Sequence, residues 1–501
     1  MNVAAAGPPT LSFQELITAA EVDPPPPELQ RKLDILFDTP FVVNSAGQTP
    51  SSSYEAAPAA LHIAEWNIFR TSDDEGVKLA LTDASAFLER ASKNHHLNRR
   101  RRDALKEQLN VLQRADVVIL NEIDDGVDAE HYHNVPAELA QALHMNYTFA
   151  VEFLELNRIY LGTHSMDFAD AGHAGRKANF GLDPSRYLGL EGTALLSRYP
   201  IRSSRIIHLP VAYDWYHDEI RALSDLERAR RWTAERLFRE RVLRQVRRGG
   251  RLALLVELNV PGAPGGVMTV VCPHLEDYCG PKGRQRQMDY LLSQIRTLQG
   301  PVVMGGDLNT TGHDGRPLTL SGILHHSLLS LDFWVREAGY FFFPVPGAGE
   351  MIRVGNLVKN WDDPTAVSLP VVMDNGERRL FTSLHSFQFA DGGELDFSGD
   401  RRHSYQSRGS TLSDSAQRSW KGFTPSFRFD RNFHRMIGTY KLDWIFVKTN
   451  KDRPDSSLTP AFGRTFTLVN RAALPHISPH SPTGLEIRFD APHQYLANGG
   501  E

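Results

Sequence analysis

From Leu61 onward the chain is cut into short apolar runs, each closed by a polar residue or a glycine. Residues 61–69 (LHIAEWNIF) are bulky and partly alternating, which predicts a strand. Residues 116–120 are almost wholly apolar and predict a buried strand that stops at Asn121-Glu122. The same reasoning predicts strands over 147–153, 192–197, 252–260, 267–272, 302–304, 442–447 and 485–489. Helical periodicity is rarer. Asn98 caps a predicted helix reaching Arg114, with Leu105, Leu109 and Leu112 on one face, and 136–144 and 284–298 read as two more. Many strands and fewer helices predict packed sheets with helices outside.

Three stretches break this texture. Residues 1–60 are rich in Ala, Pro and Ser, with Pro24–Pro27 and Ser51–Ser53 as punctuation, and read as a partly flexible extension. Within it an apolar patch at 33–43 is placed to dock on the main body. Residues 214–248 form a charged helical stretch with an apolar stripe of Ile220, Leu223, Leu226, Leu237, Val242 and Val246. Its arginines alternate with acids, so a solvated helix face is the preferred reading. Residues 313–440 form a long insertion whose middle, 391–419, is polar and Ser/Gly-rich, a loop or lid. The main domain is therefore placed at 61–492, with insertions near 214–248 and 313–440 and a tail at 493–501.

Composition adds limits. The 501 residues are 41 % hydrophobic and 23 % charged, an ordinary globular balance. No apolar run has the length of a membrane span, and no signal peptide is visible, so a cytoplasmic location is the default expectation. Two cysteines, Cys272 and Cys279, make neither a disulfide framework nor a zinc set. The net charge of −5 argues against a protein that grips long nucleic acid through many phosphates. Ser165, Ser197 and Ser321 lie in no nucleophile-elbow context, which disfavours a serine esterase.

The chemistry stands where the strands end. Asn67 closes the first run and Glu122 the second. His274 follows Val271-Cys-Pro, and Asp307 and Asn309 follow Val302-Val-Met-Gly-Gly. Asp443 lies in the 442–447 strand, and His480 stands in the loop before the last strand. Two glycines before Asp307 let something large approach the backbone. A carboxylate suits a hard cation, and an amide donates to a phosphate oxygen.

This ordered set resembles the endonuclease/exonuclease/phosphatase superfamily, which includes deoxyribonuclease I, abasic-site endonucleases and sphingomyelinases. The matching motifs are Trp66-Asn67-Ile68, Leu120-Asn-Glu122, Gly192-Thr-Ala-Leu-Leu-Ser-Arg-Tyr-Pro200, and His274-Leu275 followed by Arg284 and Gln287. Gly306-Asp-Leu-Asn309, Leu442-Asp-Trp-Ile445 and Ser478-Pro-His480 complete the set. The resemblance implies an α+β fold, a four-layer α/β/β/α sandwich of two mixed sheets with the site at one edge. It also implies a phosphodiester hydrolase that uses a divalent cation, Mg²⁺ first and Mn²⁺ or Ca²⁺ as alternatives. Glu122, Asp307 and Asn67 would surround the cation, and Asn67 and Asn309 would bind phosphate. His480, oriented by Asp443, would act as general base or phosphate donor. His274 would serve the leaving oxygen, oriented by Glu191 as in deoxyribonuclease I. One departure stands out: the family's Ser-Asp-His is here Ser478-Pro479-His480, with Asp314 and Glu486 as substitute acids in sequence. The implied partner is a phosphate-ester substrate. A nuclease is the alternative, with nucleic acid not favoured, and a catalytically weak binding module on the same fold is a second.

Overall fold

Each strand expected from an apolar run forms. In the computed structural model the described residues are 7–44, 60–70, 73–94, 97–128, 131–158, 161–162, 182–221, 245–312, 331–342, 346–348, 351, 376–396, 418–419, 422–428, 439–449, 459–471 and 477–489. In chain order the elements are α1 (Phe13–Glu21), α2 (Pro27–Asp38), β1 (Phe41–Val43), β2 (Ala60–Asn67), α3 (Asp74–Thr82), α4 (Ala84–Asn94) and α5 (Arg99–Leu112). They continue with β3 (Val117–Asp125), α6 (Val135–Leu143), β4 (Asn146–Glu155), β5 (Leu190–Ser197), β6 (Ile201–His208), α7 (His217–Ile220), β7 (Arg247–Gly249), β8 (Leu252–Asn259) and β9 (Val267–Pro273). Next come α8 (Pro281–Ile295), β10 (Val302–Asp307), α9 (Leu331–Phe342), α10 (Arg378–Ser386), β11 (Glu394–Asp396), β12 (Arg418–Ser419), β13 (Gly422–Phe423), β14 (Phe427–Arg428) and β15 (Thr439–Tyr440). The last are β16 (Asp443–Thr449), β17 (Thr459–Thr465), α11 (Thr467–Arg471) and β18 (Thr483–Arg488).

The long strands make two sheets. One runs β1-β4-β5-β3-β2-β18-β17, with β7 also on β4, and the other runs β11-β16-β10-β9-β8-β6. Each is mixed: β2 lies parallel to β3 and β9 parallel to β10, among antiparallel neighbours. Period-2 alternation explains how they stack. Leu61, Ile63, Val117 and Ile119 of the first sheet meet Leu254, Val256, Val270, Val303 and Ile445 of the second in one buried layer. The opposite face of the first sheet carries Trp66, Val118 and Leu120 into a core with α1 through α6. The opposite face of the second packs Val271, Met304, Trp444 and Phe446 against α8 and α10. The architecture is α/β/β/α, as the resemblance implied.

Several boundaries differ from expectation. The N-terminal extension is built structure. Ser12 and Glu15 form a capping box on α1, Pro27 opens α2, and β1 pairs with β4. Leu16, Leu33 and Leu36 are buried in the main core. The expected 214–248 helix survives among the described residues as the short α7, and residues 222–244 lie outside them. Its end is a strand instead, because Gly249 with φ +117 comes within 2.0 Å of Glu152 O at an added Cβ, a fit no side chain allows. Of the 313–440 insertion, α10 packs on α8, and β11 extends the second sheet. Most of the 391–419 loop lies outside the described residues.

Candidate active site

Two irregularities in the first sheet place its carboxylates. Opposite Thr193 of β5, strand β3 carries two residues, Asn121 and Glu122, between the pairs Leu120–Ala194 and Ile123–Gly192. Glu122 takes φ +52, a left-handed conformation that a bulge imposes. On the other side of β5, Glu152 is the extra residue of β4, between Val151–Gly192 and Phe153–Glu191. Gly192 is common to both bulges, and a Cβ there would stand 1.9 Å from Ala150 O. Thr193 ties them together, accepting from Asn121 Nδ2 at 2.8 Å and donating to Glu152 Oε1 at 2.5 Å.

The second sheet brings its groups to the same edge. Asp307 ends β10 in register with Asp443 of β16. Beside β10, strand β9 ends at Pro273 and hands the chain to His274. A Cβ at Gly306 would lie 2.0 Å from Pro273 O, so glycine lets these strand ends close up. The Asp307 N–H donates to Asn121 Oδ1 at 3.0 Å, a bond that crosses from one sheet to the other. A third route comes from the last loop: Ser478 Oγ donates to Asn67 O at 2.7 Å and accepts from His480 N–H, while Trp66 Nε1 donates to His480 O. These bonds seat His480 above the end of β2.

The groups so gathered form one cluster. Asn67 Nδ2 donates to Asp307 Oδ2 at 2.8 Å and to Glu122 Oε1 at 3.1 Å. His480 Nδ1 lies 3.0 Å from both oxygens of Asp443 and 3.8 Å from Asp307 Oδ2. His274 Nε2 faces Glu122 Oε1 at 3.8 Å, and its Nδ1 meets Glu152 Oε2 at 2.9 Å. Arg251, also buried, reaches Glu152 at 3.0 Å and places Nη1 within 3.1 Å of both His274 ring nitrogens. Glu122, His274 and Asp307 offer ligand atoms within 4.8 Å of one another, as do Asp307, Asp443 and His480. Asp307 belongs to both groups.

So many charges at one edge perturb one another. Burial, then the Asp443 carboxylate, raises Asp307 to about 6. Burial pulls the His480 imidazolium down, but Asp443 and Asp307 outweigh it and leave His480 at about 9. Burial and Arg251 both oppose charge on His274, and Glu152 and Asp307 still hold its pKa above the usual value. Glu65 joins from inside the sandwich: burial, followed by Asp443 and Asp307, holds its carboxyl well above the carboxylate range. Its Oε2 accepts from Thr483 Oγ1 at 2.9 Å, while its Oε1 is buried without a hydrogen-bond donor. A divalent cation fits this donor set. The set is oxygen-rich, excess negative charge sits at Asp307, and Glu122 reaches the surface.

The sequence matches the model of the endonuclease/exonuclease/phosphatase family over residues 65–464, most of the chain. The chain belongs to that family. Membership makes it a hydrolase of the phosphoesterase and nuclease type. No curated protein matches the sequence. Among solved structures, a family protein from Beutenbergia cavernae is 15 % identical, with 86 % of this chain and 72 % of that one covered and a TM-score of 0.35. The human Nocturnin catalytic domain with bound sulfate is 12 % identical, covers 86 % and 95 %, and has a TM-score of 0.35. ANGEL2, a 2′,3′-cyclic phosphatase, is 14 % identical, covers 86 % and 96 %, and has the same score. These overlays are loose.

Within the family frame, the expected residues Asn67, Glu122, His274, Asp307, Asp443 and His480 come together, and Asn309, two residues after Asp307, donates its backbone N–H to Asp307 Oδ1 at 2.8 Å. Three details depart from expectation. Glu191 does not touch His274; it accepts two 2.9 Å bonds from Arg247 and faces Arg70 at 3.2 Å. The bulge gives the orienting place to Glu152. Asn67 presents Nδ2 to the carboxylates while its Oδ1 accepts from Phe69 N–H, so it braces two candidate ligands and turns no oxygen toward a cation. Asn309, at φ +49, spends one amide hydrogen on Leu275 O and keeps the other. Of the acids considered for Pro479, Glu486 pairs with His62 and Arg488, and Asp314 lies outside the described residues. Glu65, Glu152 and Arg251 were not singled out from sequence, and Asn121 and Thr193 stood in matched motifs without a role of their own. Their signal was a polar residue beside or within an apolar strand.

Proposed function

We propose that this chain is a divalent-metal-dependent phosphodiesterase that breaks a P–O bond by attack of water. The observation that carries the reading is the convergence of Asn67, Glu122, His274, Asp307, Asp443 and His480 from separate strand ends onto one edge. Glu122 and Asp307, with Asp443 behind them, would hold the cation, Mg²⁺ by the hardness of the donors. When bound, it supplies charge against the phosphoryl oxygens as negative charge builds there. Asp443 engages His480 Nδ1 and leaves Nε2 to accept the proton of the attacking water. Glu152 holds His274 at Nδ1, which leaves Nε2 to protonate the departing oxygen. The second amide hydrogen of Asn309 adds a donor for a phosphate oxygen, while Arg251, spent on Glu152, His274 and Asp277, steadies the Glu152–His274 pair. The substrate is read as a small or lipid-borne phosphodiester, given the acidic chain and the insertion that starts at 313, shortly after Asn309.

The test is hydrolysis of bis-p-nitrophenyl phosphate by the full chain, with Mg²⁺ and with EDTA, beside the His480→Ala variant. Release of nitrophenol that requires the metal and vanishes in the variant supports the reading. Equal rates for the two proteins across Mg²⁺, Mn²⁺ and Ca²⁺ would remove it.

A further inference from the structure

The 313–376 excursion leaves the chain three residues after Asn309, and its two ends are pinned to each other. Gly312 N–H donates to Glu377 Oε1 at 3.0 Å across 65 positions of sequence. The same oxygen accepts from Arg284 Nε at 3.0 Å and Nη2 at 2.5 Å, and both side chains are wholly buried. Arg284 uses its remaining donors on the candidate site's loops: Cys279 O at 2.6 Å, Glu276 O at 3.3 Å and Thr311 Oγ1 at 3.4 Å. One oxygen of Glu377 therefore ties three segments together. These are the loop after Asp307 and Asn309, the loop after His274, and the start of α10.

We infer that Glu377 is a positioning residue that fixes the Asn309 loop through Gly312 and Arg284. The inference rests on the reading of Asn309 as a phosphate-binding residue. Asn309 Nδ2 is tied directly to Leu275 O, and its neighbours are held from the β16 side. Leu308 N–H donates to Leu442 O, and Thr310 Oγ1 donates to Lys441 O, both from the chain leading into β16. Thr311 N–H turns back to Asn309 O at 2.8 Å, so a displacement of 311–312 passes directly to Asn309. At 311–312 the loop is held by Glu377 and the arginine it neutralises. A buried guanidinium with four acceptors is rigid, and its rigidity depends on the charge that balances it. Because Glu377 is also the residue before α10, the seating of the insertion and the position of Asn309 are coupled mechanically.

The experiment uses the full chain with Glu377→Gln, which keeps an oxygen but removes the charge, and Glu377→Asp, which keeps the charge and withdraws it by one methylene. The second variant covers the case in which the first fails to fold. Hydrogen–deuterium exchange is followed at 308–312 and 276–280 beside the strand cores, with bis-p-nitrophenyl phosphate as substrate. The expected result for Glu377→Asp is faster exchange confined to those two loops. Its kcat should fall on the order of 10- to 100-fold, with KM within about twofold and an unchanged pH profile. Wild-type kcat, or exchange raised uniformly across the strands, overturns the inference and makes Glu377 an ordinary core anchor. If the wild type shows no hydrolysis above His480→Ala, the function reading fails separately. The exchange pattern then decides the clamp by itself.

Discussion

Glu152 and Glu191 sit on adjoining strands, and one extra residue in β4 decides which of them serves His274. The two carboxylates should therefore respond differently to the same chemistry. Glu152→Gln removes the charge that keeps the His274 pKa up, so the pH–rate profile should lose or shift the limb that His274 supplies. Glu191→Gln should leave that profile alone. Instead it strips the partner from the buried Arg247 and should destabilise the fold by about 3–5 kcal/mol, read from urea unfolding. An unaltered profile for Glu152→Gln would return the orienting role to another group. At His480 the expectation is simpler: His480→Ala should lower kcat by roughly 10²–10⁴-fold, and Asp443→Asn should follow it, because Asp443 sets the tautomer. Asp443 and His480 were legible in the sequence because they stand in motifs. Glu152 was not, since a strand that reads 147–153 gives no hint of an extra residue. Only pairing with β5 reveals it.

At the scale of elements, runs of apolar residues located the strands well, and their polar ends are the groups that converge in the candidate site. The pattern missed β6, whose exposed Arg202, Ser203 and Arg205 give no apolar run, because an edge strand buries little on its outer face. It also undervalued the first 44 residues. Composition there suggested a loose extension, yet the cap at Ser12, the proline at the first turn of α2 and the buried leucines are local signals of folded helices. Removing residues 1–44 should uncover the β4 edge and lower the melting temperature, with apolar dye binding as the check. The sharper element-level test is Gly192→Ala. Two bulges share this residue, and its added methyl would collide with the Ala150 carbonyl. The strand pair must shift to accommodate it, at roughly 1–3 kcal/mol. Because Glu122 and Glu152 are aimed by those bulges, activity should fall further than stability alone explains. A variant with normal kcat and a lowered melting temperature would show that the bulges serve packing only.

The whole molecule presses two sheets together at an edge where Glu65, Glu122, Asp307 and Asp443 converge, and this sets how its stability depends on pH and metal. Without a cation, Asp307 has a folded pKa of about 6 against 3.8 for an ordinary carboxyl. A raised pKa favours folding while the group is protonated. That contribution is complete below 3.8 and is lost as pH rises through about 6. His480, raised from 6.5 to about 9, has the same sign: its contribution is full below 6.5 and disappears as pH climbs through about 9. The protein in EDTA should thus lose stability steadily between about pH 4 and 9. A divalent ion competes with the proton at Asp307, so its stabilisation should be small at pH 5 and large at pH 8. At a concentration 100 times its Kd the gain is about 2.7 kcal/mol, visible as a shift in melting temperature. The same ion places positive charge beside His480 and opposes its imidazolium, which brings the ring toward the neutral form a base requires. Melting temperatures that at pH 8 ignore Mg²⁺, Mn²⁺ and Ca²⁺ alike would mean that no divalent ion binds at Asp307, which is ionised at that pH, and that Glu65 is the group easing the repulsion by holding a proton.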